Sequence, residues 1–347
     1  MLTKNKVAQK VKCVVWDLDN TIWDGILLED TDVVLKKEVL SVIKELDNRG
    51  ILQSIASKNE YNIAINKLKE LEIDHYFLYP QISWNPKSEG LVEIAKQINI
   101  NVDTLAFIDD QPFELEEVNF ALPQVLAINS KEINNILAME ALNPRFITED
   151  SKKRRELYMN DIKRKEKEIK FKGTPEDFLE TLDMILTISP VGEDDLKRAE
   201  ELTIRTNQLN ATGYTYSYEE LDYLKKVNKM FIADLSDKYG SYGKIGLSMI
   251  ETTGDTWNIK LLLMSCRVMS RGVGTVMLNY IMRKAKEEGV RLIAEFIPTD
   301  RNRMMYITYK FAGFKEIEKR TDGVLILEND LENIQAVPSY ISLIDSK

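Results

Sequence analysis

Two carboxylates two residues apart close an apolar run. Val11-Lys12-Cys13-Val14-Val15-Trp16 leads straight into Asp17-Leu18-Asp19-Asn20-Thr21. A short stretch of β-branched and aromatic residues bounded by polar ones reads as a buried strand, and side chains two apart on a strand share a face. Asp17 and Asp19 therefore start out pointing the same way. Carboxylates that close repel unless a cation offsets them, and Mg2+ takes oxygen ligands while keeping part of its water. The chemistry implied is metal-assisted phosphoryl transfer; the alternative is an ordinary strand end whose acids face water.

The segments that must hold such a pair in place alternate in period. Leu35, Val39, Leu40, Val42, Ile43 and Leu46 fall at helical spacing over 34–49, and Gly50 follows as a stop. Strands are expected at 51–56, 76–79, 104–108 and 124–128, with helices at 60–71, 88–98 and 113–120 between them. That alternation implies a parallel sheet with helices on both faces, where ligands sit beyond the carboxyl ends of the strands. Only 20–33 separates the first strand from the first helix, and no cap domain fits between Ser57 and Lys87, so the rim of the sheet should be open.

Asp17-Leu18-Asp19-Asn20-Thr21 at a strand end resembles the first motif of the haloacid dehalogenase (HAD) superfamily. Three further motifs follow in order: Ser57 in Ala56-Ser57-Lys58-Asn59, Lys87 in Asn85-Pro86-Lys87-Ser88, and Asp109-Asp110 in Phe107-Ile108-Asp109-Asp110-Gln111-Pro112. The resemblance implies an N-terminal HAD-like Rossmannoid parallel sheet with a minimal cap. It also implies roles. Asp17 would be the nucleophile that forms an aspartyl-phosphate, and Asp19 would protonate the leaving oxygen and then activate water. Ser57 and Lys87 would hold the phosphoryl oxygens. Asp109 or Asp110 would complete a Mg2+ shell with Asp17 and the backbone carbonyl of Asp19.

The wider text, Trp16 through Gly25 together with Ile108-Asp109-Asp110-Gln111-Pro112-Phe113-Glu114, is similar to the FkbH-like group, HAD subfamily IIIC. Members typically take the glyceryl unit of 1,3-bisphosphoglycerate, remove phosphate and load the three-carbon acyl group onto an acyl carrier protein for polyketide or nonribosomal peptide assembly. The resemblance thus implies a small phosphorylated three-carbon substrate and a carrier-protein partner. An alternative is a HAD phosphatase joined to an acyltransferase-like domain, acting on a sugar phosphate or nucleotide-linked intermediate. Many relatives carry between the two acids a cysteine able to accept the acyl group, where this chain has Leu18. Cys13, four residues earlier on the strand and roughly 13 Å back, reads as a buried core thiol.

Length and charge set the frame. At 347 residues the chain suits two domains, and a net charge of −9 gives no bulk reason to expect a nucleic-acid partner. Two cysteines, Cys13 and Cys266, build no disulfide framework, which favours a reducing, cytoplasmic setting. Met1-Leu2-Thr3-Lys4-Asn5-Lys6 lacks a following apolar h-region, and no apolar run approaches the ~20 residues that span a bilayer, so no membrane association is expected. We read 1–150 as the phosphoryl-transfer domain and 151–172 as a basic helical linker, a solvated face or a dock for an acidic carrier. The remainder, 173–347, reads as a second α+β domain.

In that second domain Thr174-Pro175-Glu176-Asp177 marks a helix start, opening a segment over 174–186. A helix is expected at 193–206, strands at 230–235, 244–251, 258–264 and 291–297, and a helix from the Arg271-Gly272-Val273-Gly274-Thr275 turn through Lys286. A strand, a glycine-rich turn and a helix start can cradle a phosphate with backbone N–H groups. This turn, with Asn302, Tyr306, Tyr309 and Gly313-Phe314 behind it, is similar to the N-acetyltransferase (GNAT) family, which implies a GNAT-like domain. Arg271, Gly272, Val273, Gly274, Thr275 and Asn302 would then bind the phosphopantetheine arm of a carrier protein or coenzyme A. The polar cluster Arg205-Thr206-Asn207-Gln208-Leu209-Asn210-Ala211-Thr212 either lines a site or forms a helix end and turn.

Overall fold

The apolar runs that end in acids become neighbouring parallel strands. The computed structural model describes residues 11–346; the Met1 to Lys6 stretch discussed above lies outside the described residues. The chain divides into two compact units between Met159 and Asn160, inside the helix assigned to the linker. Among the described residues no helix is long and apolar enough to cross a membrane.

The first unit runs β1 (Cys13–Trp16), β2 (Trp23–Asp24), β3 (Val34–Leu35), α1 (Lys37–Asn48), β4 (Leu52–Ser57), α2 (Tyr61–Glu70), β5 (Gln81–Ile82) and α3 (Lys87–Ile98). It continues through β6 (Leu105–Asp109), α4 (Pro112–Ala121), β7 (Leu126–Asn129), α5 (Glu149–Lys152) and the start of α6 (Arg154–Lys170). Its main sheet has the order β5-β4-β1-β6-β7 with every pair parallel. β1, β4 and β6 are buried at every position, as strands covered on both faces must be. A polar pair that this burial creates is satisfied in place. Trp16 Nε1 donates to Gln53 Oε1 at 3.1 Å, and Gln53 Nε2 donates to the Ile43 carbonyl at 2.9 Å.

Helix α1 buries Val39, Val42, Ile43 and Leu46 on one stripe. Gly50, at φ +69°, then turns the chain where a Cβ would meet the Ser151 carbonyl at 2.6 Å. The short strand expected at 76–79 is displaced. Asp74–Tyr76 forms a 3-10 turn, Phe77 makes only an isolated bridge to Gln53, and Tyr79 at φ +52° breaks the extended run ahead of β5.

The second unit takes up α6 from Asn160, then α7 (Pro175–Glu180), β8 (Met184–Pro190), α8 (Leu196–Arg205), α9 (Tyr218–Val227), β9 (Lys229–Asp237), β10 (Gly240–Thr253) and β11 (Thr256–Met264). It closes with α10 (Val273–Glu288), β12 (Arg291–Phe296), α11 (Arg303–Phe311), β13 (Lys315–Lys319), β14 (Leu325–Asn329) and β15 (Ile341–Asp345). One mixed eight-stranded sheet, β13-β14-β12-β11-β10-β9-β8-β15, makes it an α+β body, in contrast to the α/β first unit. The helix opening at Thr174 has a full capping box but stops at Glu180. Met184, Leu186 and Ile188 then alternate inward as β8, because their period is two rather than 3.6.

The basic face expected over 151–172 is corrected at its arginines. Arg155 pairs with Asp47 at 2.9 Å. Arg164 is 1% exposed, donates to both Asp237 oxygens at 2.7 and 2.8 Å, and stacks its guanidinium 3.7 Å from the Tyr242 ring. A planar fork fully matched to a carboxylate holds α6 against β9 within the second unit.

Candidate active site

β1 and β6 lie side by side with Trp16 opposite Ile108, so the residues that follow emerge together at the carboxyl edge of the sheet. Asp17 is 3% exposed and Asp109 is fully buried. Lys87, the first residue of α3, reaches between them: its Nζ is 2.8 Å from Asp17 Oδ1 and 2.5 Å from Asp109 Oδ2. The residue is aimed by its helix. Pro86 sets the N-cap, and the next residue, Ser88, donates its backbone N–H to Glu117 Oε2 at 3.3 Å and its hydroxyl to Glu117 Oε1, tying the start of α3 to α4.

Burial dominates the electrostatics. It pushes the Asp17 carboxyl up to about 7, a rise that Lys87 opposes and the Asp109 charge adds to, while the Ser57 hydroxyl pulls it down. Burial likewise raises Asp109, against the pull of Lys87. For Lys87 burial works against the charged form, yet Asp17 and Asp109 hold the ammonium above its ordinary range. Two desolvated acids thus share one cation.

A third acid joins them. Ligand oxygens of Asp17, Asp109 and Asp110 lie within 4.8 Å of one another, and Asp110 Oδ1 is buried without a hydrogen-bond partner. A buried, orphaned carboxylate oxygen beside two more is a poor arrangement for a protein alone. It suits a hard divalent cation, and the all-oxygen donor set fits Mg2+.

Asp19 stands apart from that group by its side chain. Oδ1 accepts from Trp23 Nε1 at 2.8 Å and from the Leu27 N–H at 3.1 Å, and Oδ2 accepts from Asn59 Nδ2 at 3.0 Å. Trp23 and Asn59 lie within the quoted motifs but carry no role there, since a fixing contact of this kind shows only in three dimensions. Ser57 is buried at the end of β4. Leu18 is fully buried within the apolar core, as is Cys13 in β1, whose thiol burial pushes up. The structure therefore brings Asp17, Ser57, Lys87, Asp109 and Asp110 to one place, with Asp19 at its edge.

In the second unit, Gly272 caps α10 at φ +72°, and a Cβ there would meet the Tyr340 hydroxyl at 2.8 Å. Gly274 packs so closely on Met264 that a Cβ would lie 2.5 Å from its methyl. Val273 is buried and Thr275 half-buried. Arg271 is 5% exposed, donates from Nη2 to Glu168 at 3.0 Å and leaves Nη1 buried without a partner. Asn302 is fully buried and bonds to backbone groups. Its Nδ2 donates to the carbonyls of Asn210 at 3.0 Å and Ile297 at 2.9 Å, and its Oδ1 accepts from the Thr299 N–H at 2.9 Å.

What Asn302 clamps is a piece of chain between two strands. β11 and β12 pair in parallel only from Thr256 opposite Arg291 to Ile259 opposite Ala294. Beyond that point residues 209–211 take the place of a strand. Ala211 N–H donates to Leu262 O at 3.0 Å, Met264 N–H to Leu209 O at 2.9 Å, and Ile297 N–H to Ala211 O at 3.0 Å. The polar cluster at 205–212 is thus largely inner wall: Thr206, Asn210 and Thr212 are buried.

No family model matches the chain, and no curated protein matches it. Solved structures do. The N-terminal part of a Bacteroides fragilis protein, containing a phosphatase domain and complexed with Mg, is 27% identical over 39% of this chain and 41% of its own, with a TM-score of 0.33. This chain therefore spans well under half of that one. The ribosomal-protein-S18-alanine N-acetyltransferase of Escherichia coli is 17% identical over 41% of this chain and 92% of its own, TM-score 0.34. Ard1 from Thermoplasma volcanium is 13% identical over 42% and 96%, TM-score 0.33.

Proposed function

We propose that the first unit is a Mg2+-dependent phosphohydrolase of the HAD kind that works through an aspartyl-phosphate on Asp17. One observation carries the reading: a buried lysine bridges two buried carboxylates at a sheet edge, with the unpartnered oxygen of Asp110 in the same space. Asp17, Asp109 and Asp110 would hold the ion, which when bound supplies positive charge to the phosphoryl oxygens.

The protein's own groups account for the rest. An Asp17 oxygen attacks phosphorus and the ester P–O bond breaks. Asp19 gives a proton to the departing oxygen, then takes one from the water that attacks the phosphoryl-enzyme. Trp23, Asn59 and the Leu27 N–H fix the orientation of Asp19 for both steps. Lys87 and Ser57 face the phosphoryl oxygens, and Lys87 keeps Asp17 aimed. Release of p-nitrophenol from p-nitrophenyl phosphate, dependent on Mg2+ and absent in Asp17→Asn, tests this reading.

The FkbH-like resemblance extends it to a phosphoglyceryl donor whose acyl unit is loaded onto an acyl carrier protein. A carrier's bulk is supported by the connection from β4 to α3, which holds α2, a 3-10 turn and β5 and no inserted domain, and by Trp84 and Phe113, 67% and 71% exposed, close in sequence to Lys87 and Asp109. The uncapped start of α10 behind Gly272 supports a phosphopantetheine or coenzyme A phosphate at Arg271 to Thr275. The second reading is a sugar phosphate or nucleotide-linked substrate. The neutral amides and hydroxyl of Gln81, Ser83 and Asn85 in a cavity lined also by Ser57 favour its sugar-phosphate form. Intact-mass analysis of a carrier protein incubated with enzyme, Mg2+ and 1,3-bisphosphoglycerate separates them: a glyceryl mass gain supports loading, and phosphate release without it supports the second.

A further inference from the structure

Lys58 lies in the second motif and takes no part in the proposed reaction, yet it sits between two residues that each act on an aspartate of the site. The Ser57 hydroxyl acts on the Asp17 carboxyl, which it pulls down, and Asn59 donates to Asp19 Oδ2 at 3.0 Å. The Lys58 side chain reaches across the rim instead. Its Nζ pairs with Glu114 Oε1 at 2.8 Å, and Glu114 stands in the first turn of α4, four residues after Asp110. β4 and β6 flank β1 in the sheet. A side chain from the end of β4 that meets one from the helix after β6 therefore spans the strand end from which Asp17 emerges.

This ion pair is open to exchange. The Lys58 side chain is 35% exposed, and a pair that water reaches contributes little to stability. Glu114 is itself incompletely matched, because its Oε2 is buried with no hydrogen-bond partner. An ammonium on a flexible four-carbon stem can leave such a carboxylate for an anion that arrives from solvent.

Position decides which anion that is. Lys87 and Ser57 serve the phosphoryl group that is transferred, whereas Asp19 stands at the departing oxygen. The group attached to that oxygen starts beside Asp19 and its partner Asn59, one residue from Lys58. Lys36 also reaches this edge, but its ammonium donates to the Asn20 carbonyl and pairs with Asp24 at 3.4 Å.

We infer that Lys58 is a specificity-determining residue: released from Glu114, its ammonium binds a second anionic group on the part of the substrate that departs. The substrate class is then a phosphate monoester with a further carboxylate or phosphate within a few bonds of the ester oxygen, to which a phosphoglyceryl donor belongs. This role rests on the phosphohydrolase reading of the neighbouring aspartates.

3-Phosphoglycerate and glycerol 3-phosphate differ by one carboxylate and so test it. With the full chain and Mg2+, kcat/KM is expected to favour 3-phosphoglycerate by about 10-fold, chiefly through KM. Lys58→Ala should erase that preference by raising KM for the anionic member, and Lys58→Arg should keep most of it. Where circular dichroism shows the alanine variant unfolded, Lys58→Gln is judged by the same ratio. No wild-type preference for 3-phosphoglycerate, turnover of neither substrate, or equal losses on both in Lys58→Ala overturns the role of Lys58. p-Nitrophenyl phosphate separates the two levels. If the wild-type protein hydrolyses it with Mg2+ and one of these contrary results is found, only the role of Lys58 falls; if the wild-type protein leaves it intact, the phosphohydrolase reading falls and takes that role with it.

Discussion

Lys87 Nζ lies 2.8 Å from Asp17 Oδ1 across 70 residues of sequence, and the same ammonium serves Asp109. Removing it leaves two buried carboxylates without their cation. Lys87→Met should therefore cost about 3–5 kcal/mol in stability, read by urea denaturation in EDTA, and should abolish phosphate release. Added Mg2+ should recover part of the stability and none of the activity.

The raised Asp17 carboxyl predicts a pH dependence with a definite sign. Its folded value of about 7 stands above the ordinary 3.8, so the folded state binds the proton more tightly than the unfolded one. The stability this contributes is full below about 4 and is lost as pH rises through 7. Thermal denaturation in EDTA should give a lower Tm at pH 8 than at pH 5. Mg2+ competes with that proton, so its stabilisation should be larger at pH 8, about 2.7 kcal/mol at a hundredfold excess over Kd. Asp17→Asn should flatten the pH dependence.

Leu18 lies fully buried between the two acids, in the core that also holds Trp16 and Ile22. A cysteine there would face the same core. Leu18→Cys is expected to form no acyl-enzyme, to keep phosphatase activity, and to lose about 2 kcal/mol to the cavity it creates. Intact mass after incubation with an acyl phosphate, together with a urea titration, checks both parts.

Asn302 holds residues 209–211 in the gap between β11 and β12. Asn302→Ala removes the donor that these buried carbonyls use, and should cost about 2–3 kcal/mol. Hydrogen exchange should show faster exchange at the Ala211, Met264 and Ile297 amides and unchanged exchange in the first unit.

Much of the first unit was legible because its signals are local. Asp17 and Asp109 end apolar runs, Lys87 opens an amphipathic helix behind a proline, and those patterns need no tertiary information. What escaped depends on side chains meeting across the fold. The satisfaction of Asp19 by Trp23 and Asn59, the tie from Ser88 to Glu117, and the burial of Arg164 against Asp237 leave no periodic trace. Asn302 shows the limit most clearly: nothing in its loop position foretells the carbonyls of Asn210 and Ile297 that its amide holds. β8 went unseen because a strong helix cap at Thr174 masked the period-two run that begins at Met184.

Whether Asp17 carries a phosphoryl group is read by 19F NMR of the protein with beryllofluoride, which mimics a phosphoryl group on a carboxylate oxygen. Protein-bound resonances are expected that need Mg2+, weaken in Asp110→Asn and vanish in Asp17→Asn. Absence of bound resonances at saturating Mg2+, or their persistence in Asp17→Asn, would contradict the role of Asp17.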